Sequence, residues 1–264
     1  GADIGFVELG CWVLSNLATI QENRPILRQA GALRAVVPYL GVSHGKALDQ
    51  VLSCCSNLLQ EPINKVAFEQ VGGHKHLVSL LSRAVEGDLV EKQSMIVRVI
   101  CILGFQDDDV KAVVMKGGAI RLFLRLLYSP DVEVQRFACH ALSTLAADGS
   151  QNDVIREEGG FPPLLHLLGS TDPFIREKIS HLIANLTAND ANMDVVREQG
   201  SIPMLVELAQ CDYEPVQLPI MWALSNLLLS VENQNIFEDL GGFDILINQL
   251  ASTNGKLVGR VGWA

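Results

Sequence analysis

Positive charge is scarce in this chain. Twenty Lys and Arg stand against 30 Asp and Glu, a formal net charge of -10, which opposes any broad grip on phosphate backbones. Nucleic acid is therefore excluded as a partner class, and a basic peptide suits the chain better. Long apolar runs are missing too: the longest, from Met95 to Phe105, is broken by Arg98 and falls short of the roughly 20 residues a membrane-spanning helix requires. No paired cysteine spacing occurs among Cys11, Cys54, Cys55, Cys101, Cys139 and Cys211. A reducing compartment with unbridged, mostly buried thiols is expected. The opening residues Gly1-Ala2-Asp3-Ile4-Gly5-Phe6 show no basic leader and no cleavage site, and Gly5 stands where a myristoylation pattern needs Ser or Thr, so the start is expected to be a cut end.

What is present is enough to fold: 264 residues, 48% hydrophobic and 19% charged, a composition that buries a substantial core. The chain repeats itself. Segments 12–17, 53–58, 100–105, 140–145, 181–186 and 222–227 superimpose. Their fifth positions, Asn16, Asn57, Gly104, Thr144, Asn185 and Asn226, keep a beat of about 41 residues with one longer step in the middle. A glycine that opens an apolar stretch keeps the same beat at Gly31, Gly72, Gly118, Gly159, Gly200 and Gly241. The one long step places an insertion within residues 82–93, where a longer second helix or a surface loop is tolerated. Trp263 stands one further beat beyond Trp222, so the chain is expected to end inside a seventh unit. The units run roughly 1–21, 22–62, 63–108, 109–149, 150–190, 191–231 and 232–264, within one domain spanning 1–264.

Each unit reads as three helices. A short one such as 23–30 is stopped by glycine, which tolerates a left-handed backbone. A second such as 161–168 carries Pro162 and Pro163 in its first turn. A longer third opens after turns such as 129–131 or 171–173 and places Val134, Ala138, Ala141, Leu142 and Leu145 at helical spacing. No unit buries its apolar stripe alone, so neighbours must stack into an all-α solenoid. Gly117-Gly118-Ala119-Ile120, Gly200-Ser201-Ile202-Pro203 and Trp222-Ala223-Leu224-Ser225-Asn226 resemble armadillo repeats across essentially the whole chain; HEAT repeats share the period but not the glycine between the first two helices or the asparagine on the third. The resemblance implies a right-handed alpha-alpha superhelix of about six repeats of about 41 residues, with third helices lining a concave groove. In length the chain also resembles the armadillo-repeats-only proteins of apicomplexan parasites, organelle-surface scaffolds attached by an acylated N-terminus, a pattern that residues 1–6 do not show.

On those third helices two ladders lie one turn apart. One reads Trp12, Ser53, Ile100, His140, His181, Trp222; the other reads Asn16, Asn57, Gly104, Thr144, Asn185, Asn226. An asparagine amide pairs with both the N–H and the C=O of an extended ligand, and indole faces form slots for lysine and arginine stems. The Trp-x-x-x-Asn spacing resembles the importin-alpha groove, which holds basic localisation signals. One turn further on, Glu61, Asp108 and Asp148 are candidate acidic contacts for ligand cations. The same residues carry a plainer reading: Trp and Asn seal the seam between stacked helices, and the acidic run 107–109 complements a helix start. The middle departs from the importin pattern. Gly104 is expected to end its helix early, being a poor helix former, and Ile100 with Phe137 makes the centre apolar, suited to a partner helix. Pro219 predicts a late start or a kink in the sixth third helix.

Chemistry finds no foothold. His140 and His181 sit on adjacent rungs, and helices roughly 8–10 Å apart hold them too far apart for one metal. His74-Lys75-His76 lacks further ligands, Gly255-Lys256 has Leu250 where a phosphate loop needs glycine, and no catalytic elbow or zinc motif occurs. Asn185-Leu186-Thr187 matches a glycosylation acceptor but falls within a helix. The expectation is a non-enzymatic scaffold or adaptor, without metal, cofactor or small-molecule substrate, that binds an extended or helical segment of a protein partner. The alternative is an importin-alpha-like receptor fragment binding basic nuclear localisation signals. Location is expected to be cytoplasmic, at the cytosolic face of an organelle through a lipidated N-terminus or a partner, or nuclear under the alternative.

Overall fold

The computed structural model describes residues 3–42, 44–87, 89–104, 111, 115, 118–147 and 149–250. Every regular element among them is helical, and they fall into two compact units, Gly1–Leu126 and Leu127–Ala264. The first holds α1 (Ile4–Ala18), α2 (Asn23–Gln29), α3 (Ala32–Val36) with a 3-10 turn at Val37–Leu40, α4 (Gly45–Leu58), α5 (Pro62–Gln70), α6 (Gly73–Glu86), a 3-10 turn at Val90–Lys92, α7 (Gln93–Leu103) and α8 (Ala119–Leu126). The second holds α9 (Val132–Leu145), α10 (Asn152–Glu157), α11 (Phe161–Leu168), α12 (Pro173–Thr187), α13 (Asp190–Glu198), α14 (Ile202–Leu208), α15 (Glu214–Leu227), α16 (Val231–Asp239) and α17 (Gly242–Leu250).

The long third helices stack in sequence: α1 on α4 and α4 on α7 in the first unit, α9 on α12 and α12 on α15 in the second. Second helices close the other side, with α3 on α4, α6 on α7, α11 on α12 and α14 on α15. Spacing is the reason. On α4, Leu48, Val51, Leu52, Cys55 and Leu58 are buried, and on α12 Ile175, Ile179, Leu182, Ile183 and Leu186. Each such side chain contributes roughly 1.5–3 kcal/mol relative to leaving it in water.

Chain punctuation follows from local chemistry. The glycines between first and second helices take left-handed backbone, with φ 72° at Gly159 and 64° at Gly200, where a side chain would be strained. Gly73 and Gly242, the second glycines of their pairs, let the rings of Phe68 and Phe237 lie against the backbone where a Cβ would collide. The insertion is housed by α6, at 14 residues against 8 in α11, and by the 3-10 turn that follows it. Asp131 and Asp172 cap α9 and α12, accepting from the Glu133 N–H at 2.9 Å and the Ile175 N–H at 3.1 Å.

Of the two outcomes expected of Pro219, the late start does not occur: α15 runs from Glu214 with Pro219 buried inside it. Pro215 sits in the first turn, where no N–H is needed, so Pro219 removes only the bond to the Pro215 carbonyl.

Candidate peptide-binding face

The stacked third helices turn one face outward. Trp12 is 52% exposed and Trp222 50%; His140, His181, Asn16 and Thr144 are exposed as well, while Ser53, Asn57, Asn185 and Asn226 are half-buried. Within each unit, taken by itself, the ladder residues lie at or partly at the surface of their third helices, except at α7. There Ile100 is 1% exposed, a core residue that cannot line a groove.

Burial repeats around several rungs, two buried residues, one exposed, two buried. It holds for Ile220-Met221-Trp222-Ala223-Leu224, for His181 between Ile179-Ser180 and Leu182-Ile183, and for Ile96-Val97-Arg98-Val99-Ile100. Arg98, not Ile100, is therefore the outward residue of α7 and matches Ser53 on α4. Half-buried Ile102 takes the asparagine position, and Gly104 leaves the ladder by capping α7 with φ 80°. The insertion ahead of α7 shifts its register by two positions, which alignment on small and apolar letters misses. The alternation of Arg98 among buried neighbours is the signal that could have found it.

Asparagines of one column do different work. The Asn57 Nδ2 donates to the Ser15 carbonyl at 3.1 Å and to the Ser15 Oγ at 3.0 Å, and Ser15 Oγ and Ser53 Oγ lie 3.0 Å apart. The Asn226 Nδ2 reaches the Ala184 carbonyl and Thr187 Oγ1, each at 3.4 Å. Both tie a third helix to the one before it. The side chains of Asn16 and Asn185 make no hydrogen bond among the described residues. The Thr144 hydroxyl turns back to donate to the His140 carbonyl at 2.8 Å.

Glu61 lies past the end of α4, half-buried at the start of α5, so it is not on a third helix; Asp108 and Asp148 fall outside the described residues. Phe137 is half-buried on α9. The His140 ring lies 6.4 Å from that of Phe174, over which Lys178 Nζ stands at 5.3 Å. Partial burial, with the Lys178 charge, holds the His140 imidazole below its ordinary pKa.

Clefts follow the seams among the described residues. The one between α12 and α15, about 570 Å³, is lined by His181, Asn185, Glu214, Leu218, Pro219 and Trp222. One of about 800 Å³ at the C-terminal ends of α9 and α12 is polar, with Ser150, Asn152, Asn189 and Asp190, and Asn185 borders it too. A small one of about 50 Å³ between α4 and α7 is bounded by Ser53, Ser56, Asn57, Met95 and Arg98. No cluster of three or more metal-ligating side chains occurs among the described residues.

A further asparagine column escaped the sequence reading. Asn23, Asn64, Asn192 and Asn233 each donate from Nδ2 to a carbonyl six residues back, on Leu17, Leu58, Leu186 and Leu227, at 2.8–3.1 Å. The last three asparagines are fully buried. They satisfy C-terminal carbonyls of the preceding third helix that have no helical partner. Asn23 and Asn64 stand one repeat apart, as do Asn192 and Asn233, and that recurrence was the available clue.

The family model described as Armadillo/beta-catenin-like repeat matches residues 107–147 and 189–229. No curated protein matches the chain. Among solved structures it is similar to an engineered protein, at 21% identity and TM-score 0.78 over 95% of this chain and 72% of that one. It is also similar to computationally designed armadillo repeat proteins for modular peptide recognition, at 21% identity and TM-score 0.74 over 88% and 97%. A third is a designed armadillo repeat protein in complex with peptide (KR)4, at 20% identity and TM-score 0.70 over 88% and 97%. At such identities the likeness carries the fold, an all-α solenoid of stacked repeats. No helix among the described residues is long and apolar enough to cross a membrane.

Proposed function

Since the chain is an armadillo repeat protein, we propose that it acts by binding rather than by turnover, holding an extended segment of a partner protein along the outward face of its third helices. The observation that carries this reading is the cleft between α12 and α15. An indole half exposed to water, a carboxamide with no hydrogen bond among the described residues, and the apolar surface of Pro215 and Leu218 meet there. The amide matches the alternating N–H and C=O of an extended backbone, and an exposed aromatic beside apolar surface is what a partner side chain covers. The designed proteins for modular peptide recognition support the same use of this fold.

Glu214 gives a second reading its footing. Its carboxylate shares the cleft with Trp222, a pairing that suits the ammonium or guanidinium of a basic residue, as in the importin-alpha-like alternative. Arg98 on the first unit opposes a wholly basic ligand.

The test uses peptides selected by display on the wild-type chain and re-measured against Trp222→Ala/Asn185→Ala. Affinity is expected to fall at least about tenfold with the helical circular dichroism unchanged; equal affinity overturns the reading. A salt series separates the two versions, because a basic peptide weakens steeply with ionic strength and an uncharged extended segment does not.

A further inference from the structure

We propose that the seam between α4 and α7 is a subsite for an anionic side chain, the carboxylate of Asp or Glu or the phosphate of a phosphorylated residue, within a segment bound along the first unit. This rests on the groove reading above and adds to it a chemistry opposite to what the net charge of -10 favours.

The argument starts from register. Arg98 stands in the outward column that holds Ser53 on α4, with buried neighbours on both sides, so its guanidinium faces whatever lies along the third helices. It has no ion pair or hydrogen bond among the described residues. The carboxylate that the same pair of helical segments offers, Asp49, is held by Lys92 at 2.6 Å. Arg98 therefore keeps its charge available.

The pocket beside it supplies the second observation. Ser56 is 4% exposed and its Oγ is buried with no hydrogen-bond partner, yet it borders the same small cleft as Arg98, Ser53 and Asn57. An unmatched hydroxyl in such a place is unfavourable unless an acceptor completes it. At about 50 Å³ the cleft has room for a small head group and none for an aromatic ring. A guanidinium fork with an adjacent hydroxyl is the donor set that carboxylate and phosphate oxygens match. In a chain that repels acidic segments elsewhere, one placed arginine sets the position of the negative residue in the ligand, giving register as well as affinity.

The probe is an array of ten-residue peptides of neutral, non-aromatic sequence in which each position in turn is Ala, Glu, phosphoserine or Lys, read with the full chain. Wild type is expected to retain Glu or phosphoserine at one position about tenfold better than Ala; the ranking of those two identifies the natural source. Arg98→Ala should abolish that preference and Arg98→Glu should transfer it to Lys, while Ser56→Ala lowers it a few-fold. Unchanged circular dichroism confirms folding for each variant. Peptide binding that shows no acidic preference, or a preference that survives Arg98→Ala, overturns the subsite and leaves the groove reading standing. No binding to any peptide in the array overturns both.

Discussion

A single side-chain type does two jobs on this scaffold, decided by what lies within reach of its amide. Asn57 spends its N–H groups on Ser15 of the neighbouring helix, whereas Asn185 keeps its amide for the cleft walls. Position in a repeat thus assigns a residue to a face, and the neighbouring helix then claims it or leaves it. His140 shows the same dependence in its titration. Partial burial against α12 comes first and the Lys178 charge second in lowering its pKa. A base whose folded pKa is lowered is protonated more readily in the unfolded chain. Its contribution to stability is therefore whole above the ordinary histidine value of about 6.5 and declines as pH falls through the depressed folded value. Lys178→Ala is expected to move the His140 titration up toward the ordinary value in an NMR pH series; no movement would mean that the charge of Lys178 is not felt at the ring.

At the scale of the helix, the join between α9 and α12 concentrates several interactions on Asp172. Its Oδ1 accepts from the Ile175 N–H at 3.1 Å, and its Oδ2 takes Arg136 Nε at 3.0 Å and Nη2 at 2.6 Å. The Arg136 hydrogen bond leads in lowering the Asp172 pKa, with the Ile175 N–H and the guanidinium charge helping. A carboxyl lowered in the folded state stabilises the fold above its unfolded pKa, and the contribution is lost as pH falls through the folded value. Asp172→Ala should therefore cost about 1 kcal/mol through the lost cap. Urea unfolding of both chains is expected to show that gap at pH 7 and to show it shrinking as pH falls through the lowered folded value; a gap independent of pH would remove the carboxylate from the account. The buried asparagines of the first helices belong to this scale as well, since each joins the end of one third helix to the start of the next unit.

Across the whole chain, the cysteines report how tightly the units are packed. All six lie among the described residues and none is bridged. Burial leads in pushing the Cys54, Cys101 and Cys139 thiols up to about 12, and Cys55 well above its usual range. The thiolate is the reactive form, so these sulfurs are shielded by protonation, and those of Cys54, Cys55 and Cys139 by burial as well, while Cys101 is partly buried. Cys211, only partly buried, is expected to react first with Ellman's reagent at pH 8, with Cys54, Cys55, Cys101 and Cys139 following only on denaturation. Rapid labelling of those four in the native state would mean that the stack opens far more readily than its buried core implies.

The repeat period, the glycine stops and the helical spacing of apolar residues were legible in the letters alone, because each is a local rule repeated until it is unmistakable: left-handed backbone selects glycine, and a stacked helix must carry its apolar residues three and four apart. The outward placement of Trp12, Trp222 and Asn185 could be anticipated on the same ground. Where the period breaks, the letters no longer say which residue faces out. Ile100 and Arg98 differ by two positions, and only packing against α4 and α6 sets which is buried. Which asparagines are claimed by a neighbour, and which hydroxyl is left without a partner beside Arg98, likewise depends on distances between helices far apart along the chain, a quantity that no local pattern encodes.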